Sequence, residues 1–67
     1  MIMPTLIYSP TRKEHHPERY KAVLVGDYGI ILGFPKVNTI TDKGIEKECL
    51  QHTGIKPEII DNRTNNT

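Results

Sequence analysis

The residues with the most chemistry in them are Cys49 and His52, three positions apart, and the adjacent pair His15-His16. Zinc prefers Cys and His ligands, and a C-x-x-H spacing on one helical turn can place both on the same face. The donor count argues against it. One Cys and three His make a full tetrahedral set hard to assemble, and adjacent histidines rarely coordinate together. Cys49 also falls where an apolar helix stripe needs a residue. The expectation is a buried structural thiol, solvated histidines, and neither metal nor cofactor. A Cys–His nucleophile would draw on the same residues. It needs an electropositive, accessible thiolate, and Glu48 beside the thiol works against one. Glu14, Glu18, Asp27 and the helix carboxylates show no spacing that pairs them for acid–base work. Gly26-x-x-Gly29 lacks the Lys and following helix of a phosphate loop and reads as turn chemistry. The chain is therefore expected not to be an enzyme.

Binding has better candidates. The segment Thr11–Arg19, TRKEHHPER, has no apolar face and reads as an exposed loop; the plain reading is a solvated connection, but loops on small scaffolds also carry function. Arg12, Lys13, His16, Arg19, Tyr20 and Lys21 are the expected partner-binding residues. Arg12, Arg19 and Tyr20 would be the anchors, because Arg and Tyr are enriched where interfaces are strongest. The expected partner is a protein, met through this loop and one hairpin edge, with modulation or inhibition of that protein as the result. The alternative is nucleic acid, with Arg12, Lys13, Arg19 and Lys21 on phosphates and Tyr20 against a base. Charge favours that alternative only slightly. Residues 1–38 carry five Lys/Arg and three Asp/Glu, a balance of +2; residues 39–67 carry four and five, a balance of −1. A free-standing chain of this kind, without a catalytic signature, is also what phages and mobile elements direct against host proteins, which is an association of class alone.

These residues must be held by very little chain. Sixty-seven residues allow one domain, and a single Cys excludes an internal disulfide. Lys21–Phe34, KAVLVGDYGIILGF, is the one long apolar run, and Gly26-Asp27-Tyr28-Gly29 interrupts it as a hairpin turn. Either a two-residue loop, with Val25 facing Tyr28, or a four-residue loop, with Val25 facing Ile30, gives the same faces. One face holds Val23, Val25, Ile30, Leu32 and Phe34. The other holds Tyr20, Ala22, Leu24 and Ile31, with Gly29 and Gly33. Neither is polar, so both should be covered. Leu24 and Ile31 are expected in the core.

The third strand is Leu6–Tyr8, at an edge or beginning after Pro4, which cannot donate to a ladder. One helix is expected over Asp42–His52, with Thr41 as N-cap and Gly54 beyond its end. Ile45 and Cys49 form its apolar stripe, widened by Leu50, and the glycine face of the hairpin is its expected seat. Ile55–Ile60 reads as an extended edge segment, with a short helical turn opened by Pro57 as the alternative. The expected fold is thus a small α+β domain over residues 1–60: a three- to four-stranded antiparallel sheet built on the central hairpin, with one short helix packed on it. Residues 61–67, DNRTNNT, are expected to be a disordered tail. One helix can cover only one apolar face, so a homodimer is expected, through the Val23/Ile30/Leu32 face or a strand edge. No run approaches the roughly 20 apolar residues of a membrane span. Met1–Tyr8 is too short and too lacking in basic residues for a secretory signal. With a free thiol, this points to the cytoplasm.

Overall fold

The computed structural model describes residues 3–11 and 19–63, which form a four-stranded sheet with one helix. The strands are β1 (Thr5–Tyr8), β2 (Tyr20–Gly26), β3 (Gly29–Pro35) and β4 (Glu58–Asp61), and the helix α1 spans Asp42–Thr53. Their spatial order is β3-β2-β1-β4. β2 is antiparallel to both neighbours, whereas β4 runs parallel to β1. The small α+β fold built on a hairpin is as expected; the parallel pair is not.

The hairpin closes on Gly26 opposite Gly29 and Val25 opposite Ile30, leaving Asp27 and Tyr28 in the turn. Gly29 takes φ 118°, a conformation open to glycine at little cost. Beyond that pair the register departs from simple alternation. Leu24 faces Leu32, so Ile31 is an extra residue on β3, and Lys21 is extra on β2 between the Tyr20 and Ala22 pairs. An inserted residue turns the side chains beyond it to the opposite face. Leu32 and Phe34 therefore join Ala22 and Leu24, and Gly33 joins Val23, which corrects the expected faces.

Leu6, Tyr8, Ala22, Leu24 and Phe34 form the core with Ile45 and Cys49 of α1, and Leu32 and Ile40 pack against it. The helix thus sits on the Ala22/Leu24 face, but not over Gly33, which lies on the other side beneath the ring of Tyr20. The helix starts as its residues dictate. Thr41 is extended (φ −80°, ψ 167°) and its hydroxyl accepts from the Gly44 N–H at 3.2 Å. It stops at Gly54, left-handed at φ 75°, whose N–H donates to the Leu50 carbonyl at 2.7 Å. Leu50 is exposed and does not widen the buried stripe. On the opposite face Ile7 and Val23 pair directly and are buried, so both faces are apolar and covered at the centre of the sheet.

β1 is an interior strand. Pro4 stands just before its first paired residue, so the missing N–H costs the ladder nothing, and its carbonyl accepts from the Glu58 N–H at 3.0 Å. β4 is the edge strand expected in Ile55–Ile60, displaced toward the C-terminus so that Asp61 closes it. Residues 61–63, placed in the tail by composition, belong to the ordered ladder and its ties, while residues 64–67 lie outside the described residues. No helix among the described residues is long and apolar enough to cross a membrane.

Candidate functional site

Arg19, Tyr20 and Lys21 stand where β2 begins, and the chain leaving β3 wraps back against them. The Lys36 N–H donates to the Arg19 carbonyl at 3.0 Å, which sets two cationic side chains, both exposed, at one end of the sheet. Tyr20 lies flat across Gly33: a Cβ there would stand 2.7 Å from the ring, so glycine is what lets the ring approach. Lys21 is turned to another use. Its ammonium donates to the Asn38 carbonyl and, at 2.9 Å, to the Ile40 carbonyl. Asn38 tightens the same loop by accepting the Ile40 N–H on Oδ1 at 2.9 Å. Lys21 thus fastens the β3–α1 connection to β2; Arg19 and Tyr20 are the other described members of the expected binding set. Arg12, Lys13 and His16, with His15, lie outside the described residues.

Two residues that sequence reasoning passed over join this end. Lys36 is brought beside Arg19, and Val37 stands 89% exposed next to it. The only signal for Val37 was an apolar residue isolated among Pro35, Lys36, Asn38 and Thr39. Further apolar exposure runs along the hairpin: Tyr28 projects fully from the turn, and Ile30 and Ile31 remain partly open, Ile31 at 36% rather than in the core. Ile31 lies over Gly26, and with Pro4 and Tyr28 these residues wall a shallow apolar recess of about 260 Å³ at the end of the sheet that α1 leaves bare. A second recess, about 320 Å³, opens between α1 and β4 and is lined by Glu46, Lys47, Leu50, Lys56, Pro57 and Ile59.

Among the described residues, the most heavily bonded side-chain cluster is centred on Arg63. Arg63 grips Asp42 with two nitrogens, at 3.1 and 2.9 Å, and Asp61 with Nε and one Nη, both at 3.0 Å. Its guanidinium lies 4.2 Å above the Tyr8 ring, a cation–π contact. These hydrogen bonds hold the Asp61 carboxyl below its ordinary range and keep Arg63 firmly protonated. Burial first, then the negative charges of Glu46 and Asp42, push the Tyr8 phenol well above its usual value. Its hydroxyl reaches the Asp42 carbonyl and a Glu46 oxygen at 3.4 Å each. All partners are engaged with one another, and the arrangement ties β4 to the start of α1.

Cys49 is fully buried in the core, and desolvation, helped by Glu46 and Glu48, pushes its thiol up to about 11. His52 is exposed on the last turn. The two do not form a pair: the thiol faces the sheet and the imidazole faces water. Among the described residues no group of three or more His, Cys, Asp or Glu is placed to hold a metal ion. Compared with family models, curated proteins and solved structures, the chain matches none.

Proposed function

We propose that the protein is a small non-catalytic binding module that docks on another protein and modulates or inhibits it. The observation that carries this reading is apolar exposure at the two ends of β3: Tyr28, Ile30 and Ile31 around the recess at the turn, and Val37 beyond the far end of the strand beside Lys36. Single exposed apolar residues are ordinary, but three that wall one recess mark a contact surface. Arg19 and Tyr20 stand at the Val37 end and supply the residue types that anchor interfaces. A buried, protonated thiol and a fully engaged Arg–Asp cluster offer no prepared nucleophile, which supports a binding role over a chemical one.

Capture from lysate on the immobilised protein, with and without nuclease and at two salt concentrations, tests the reading. A protein that persists through nuclease and moderate salt, and is lost with Arg19→Glu, is the expected result. Arg19 is exposed, so the fold should survive the change. The second reading, nucleic-acid binding, draws on the Arg19–Lys36 neighbourhood as a pair of phosphate contacts. It is weakened by Lys21, whose ammonium serves two backbone carbonyls. Loss of capture with nuclease, or an oligonucleotide shift that falls steeply with salt, would favour it instead.

A further inference from the structure

We propose that the outer edge of β3 pairs with β3 of a second copy, antiparallel across a two-fold axis at Leu32, so that two four-stranded sheets become one. The inference shares with the proposed function only the premise that this edge binds protein. It starts from a contrast between the two ends of the sheet. β4, at one end, is guarded: it has four residues, follows Pro57, begins with Glu58 and ends with Asp61. Short length, proline and charge are the devices by which edge strands avoid pairing with other chains. β3, at the other end, has seven residues and no charge. Its concessions are Pro35, which brings no N–H to the end of the strand, and the irregularity beside Ile31. It is bonded to β2 on one side and to no described residue on the other. Backbone N–H and C=O groups along such an edge are completed by another strand.

The flanks of β3 say which strand. Antiparallel pairing about Leu32 sets Gly29 against Pro35, Ile30 against Phe34 and Ile31 against Gly33. Continued outward, it brings Tyr28 level with Lys36 and Asp27 level with Val37 of the other copy. Asp27 and Lys36 are exposed, of opposite sign and without a side-chain partner among the described residues; Tyr28 and Val37 are the two most exposed large apolar side chains described. A foreign strand could complete the backbone, but nothing would bring it an acid one position from Lys36 and a base one position from Asp27, the offset this register gives. A second copy brings both, twice, because a two-fold interface repeats every contact. The strand itself carries no charge to meet its like. The Val23/Ile30/Leu32 face is not available as the alternative joint, since Val23 is buried and Leu32 lies on the helix side. With the edge so occupied, a different protein would meet the Arg19–Tyr20 end.

Sedimentation velocity of the purified full chain, from low to high micromolar concentration, decides the matter without any lysate. A monomer–dimer equilibrium is expected. Ile30→Lys, which puts a charge on the edge, should weaken it at least about tenfold. Asp27→Lys and Lys36→Asp should each weaken it several-fold, and the double exchange should restore it, because the unlike pairs are re-formed with their signs reversed. The two charge variants sit outside the strand, so they remain decisive should Ile30→Lys fail to fold. A monomer throughout, a dimer indifferent to these changes, singles that the double does not rescue, or growth beyond the dimer would each overturn the proposal. A monomer would leave the capture experiment above to decide its own case.

Discussion

At the scale of single residues, burial separates side chains that the sequence presents as alike. Leu24 and Ile31 both looked like core. Leu24 is fully buried between Leu6 and Leu32, whereas Ile31 is a bulged residue on an open edge. Leu24→Ala should cost about 2–5 kcal/mol, a large share of what a domain this small has, and Ile31→Ala well under that. Urea melts of the two variants would show the difference as a separation of midpoints; equal losses would contradict the placement of Ile31. Cys49 gives a prediction in pH. Its thiol is raised to about 11 in the fold against roughly 8.5 in an unfolded chain. The unfolded state therefore releases its proton first as pH rises, so the contribution to stability is intact below about pH 8.5 and is lost between there and about 11. The alkaline fall in melting temperature should be smaller in Cys49→Ala than in the parent. Native Cys49 should also react slowly with a thiol reagent at neutral pH and quickly in denaturant.

Elements were legible where their signals are local. The α1 start and stop could be read from Thr41 and Gly54, because a cap is a bond between residues three or four apart. Thr41→Ala should lower stability by about 1 kcal/mol, and Thr41→Ser should recover most of it. The hairpin turn was equally local. The bulge at Ile31 was not, since Ile30-Ile31-Leu32 gives no composition cue for which residue is extra, and that one insertion reversed the faces assigned to Leu32, Gly33 and Phe34. β4 was read as extended but not as the strand beside β1, and the tail Asp61-Asn62-Arg63 was read by its polarity. Two aspartates, one in α1 and one in β4, make Arg63 a clamp that polarity does not reveal. Asp61 is held below the ordinary carboxylate range by Arg63, so the clamp is present at neutral pH and is lost as pH falls below about 4, through the folded value. Amides of Ile59 and Ile60 should then exchange faster, relative to those of β2, at low pH. Arg63→Ala should produce the same loosening at neutral pH.

For the molecule as a whole, the sheet order matters more than any one strand. A reading of the sequence in order makes the hairpin the centre and Met1–Tyr8 an accessory, because neighbours in sequence tend to be neighbours in a sheet. The order β3-β2-β1-β4 instead puts β1 between the hairpin and the last strand, with α1 carrying the chain back across the core from one edge to the other. Among the strands, β1 alone pairs with both the hairpin and β4. It gives Leu6 and Tyr8 to the core on one face and Ile7 to the other. Cutting the two ends of the chain should therefore have unequal effects. A chain ending after Gly54 loses an edge strand whose residues are exposed throughout and keeps β1, the hairpin and α1. It should still show a cooperative thermal transition at a lower temperature, with the strand signal in circular dichroism largely retained. A chain beginning at Ser9 keeps the long apolar run but has lost the strand on which β4 pairs and against which Ile45 and Cys49 pack. It should give no cooperative transition. If the second chain melted cooperatively and the first did not, the hairpin and not β1 would be the structural centre.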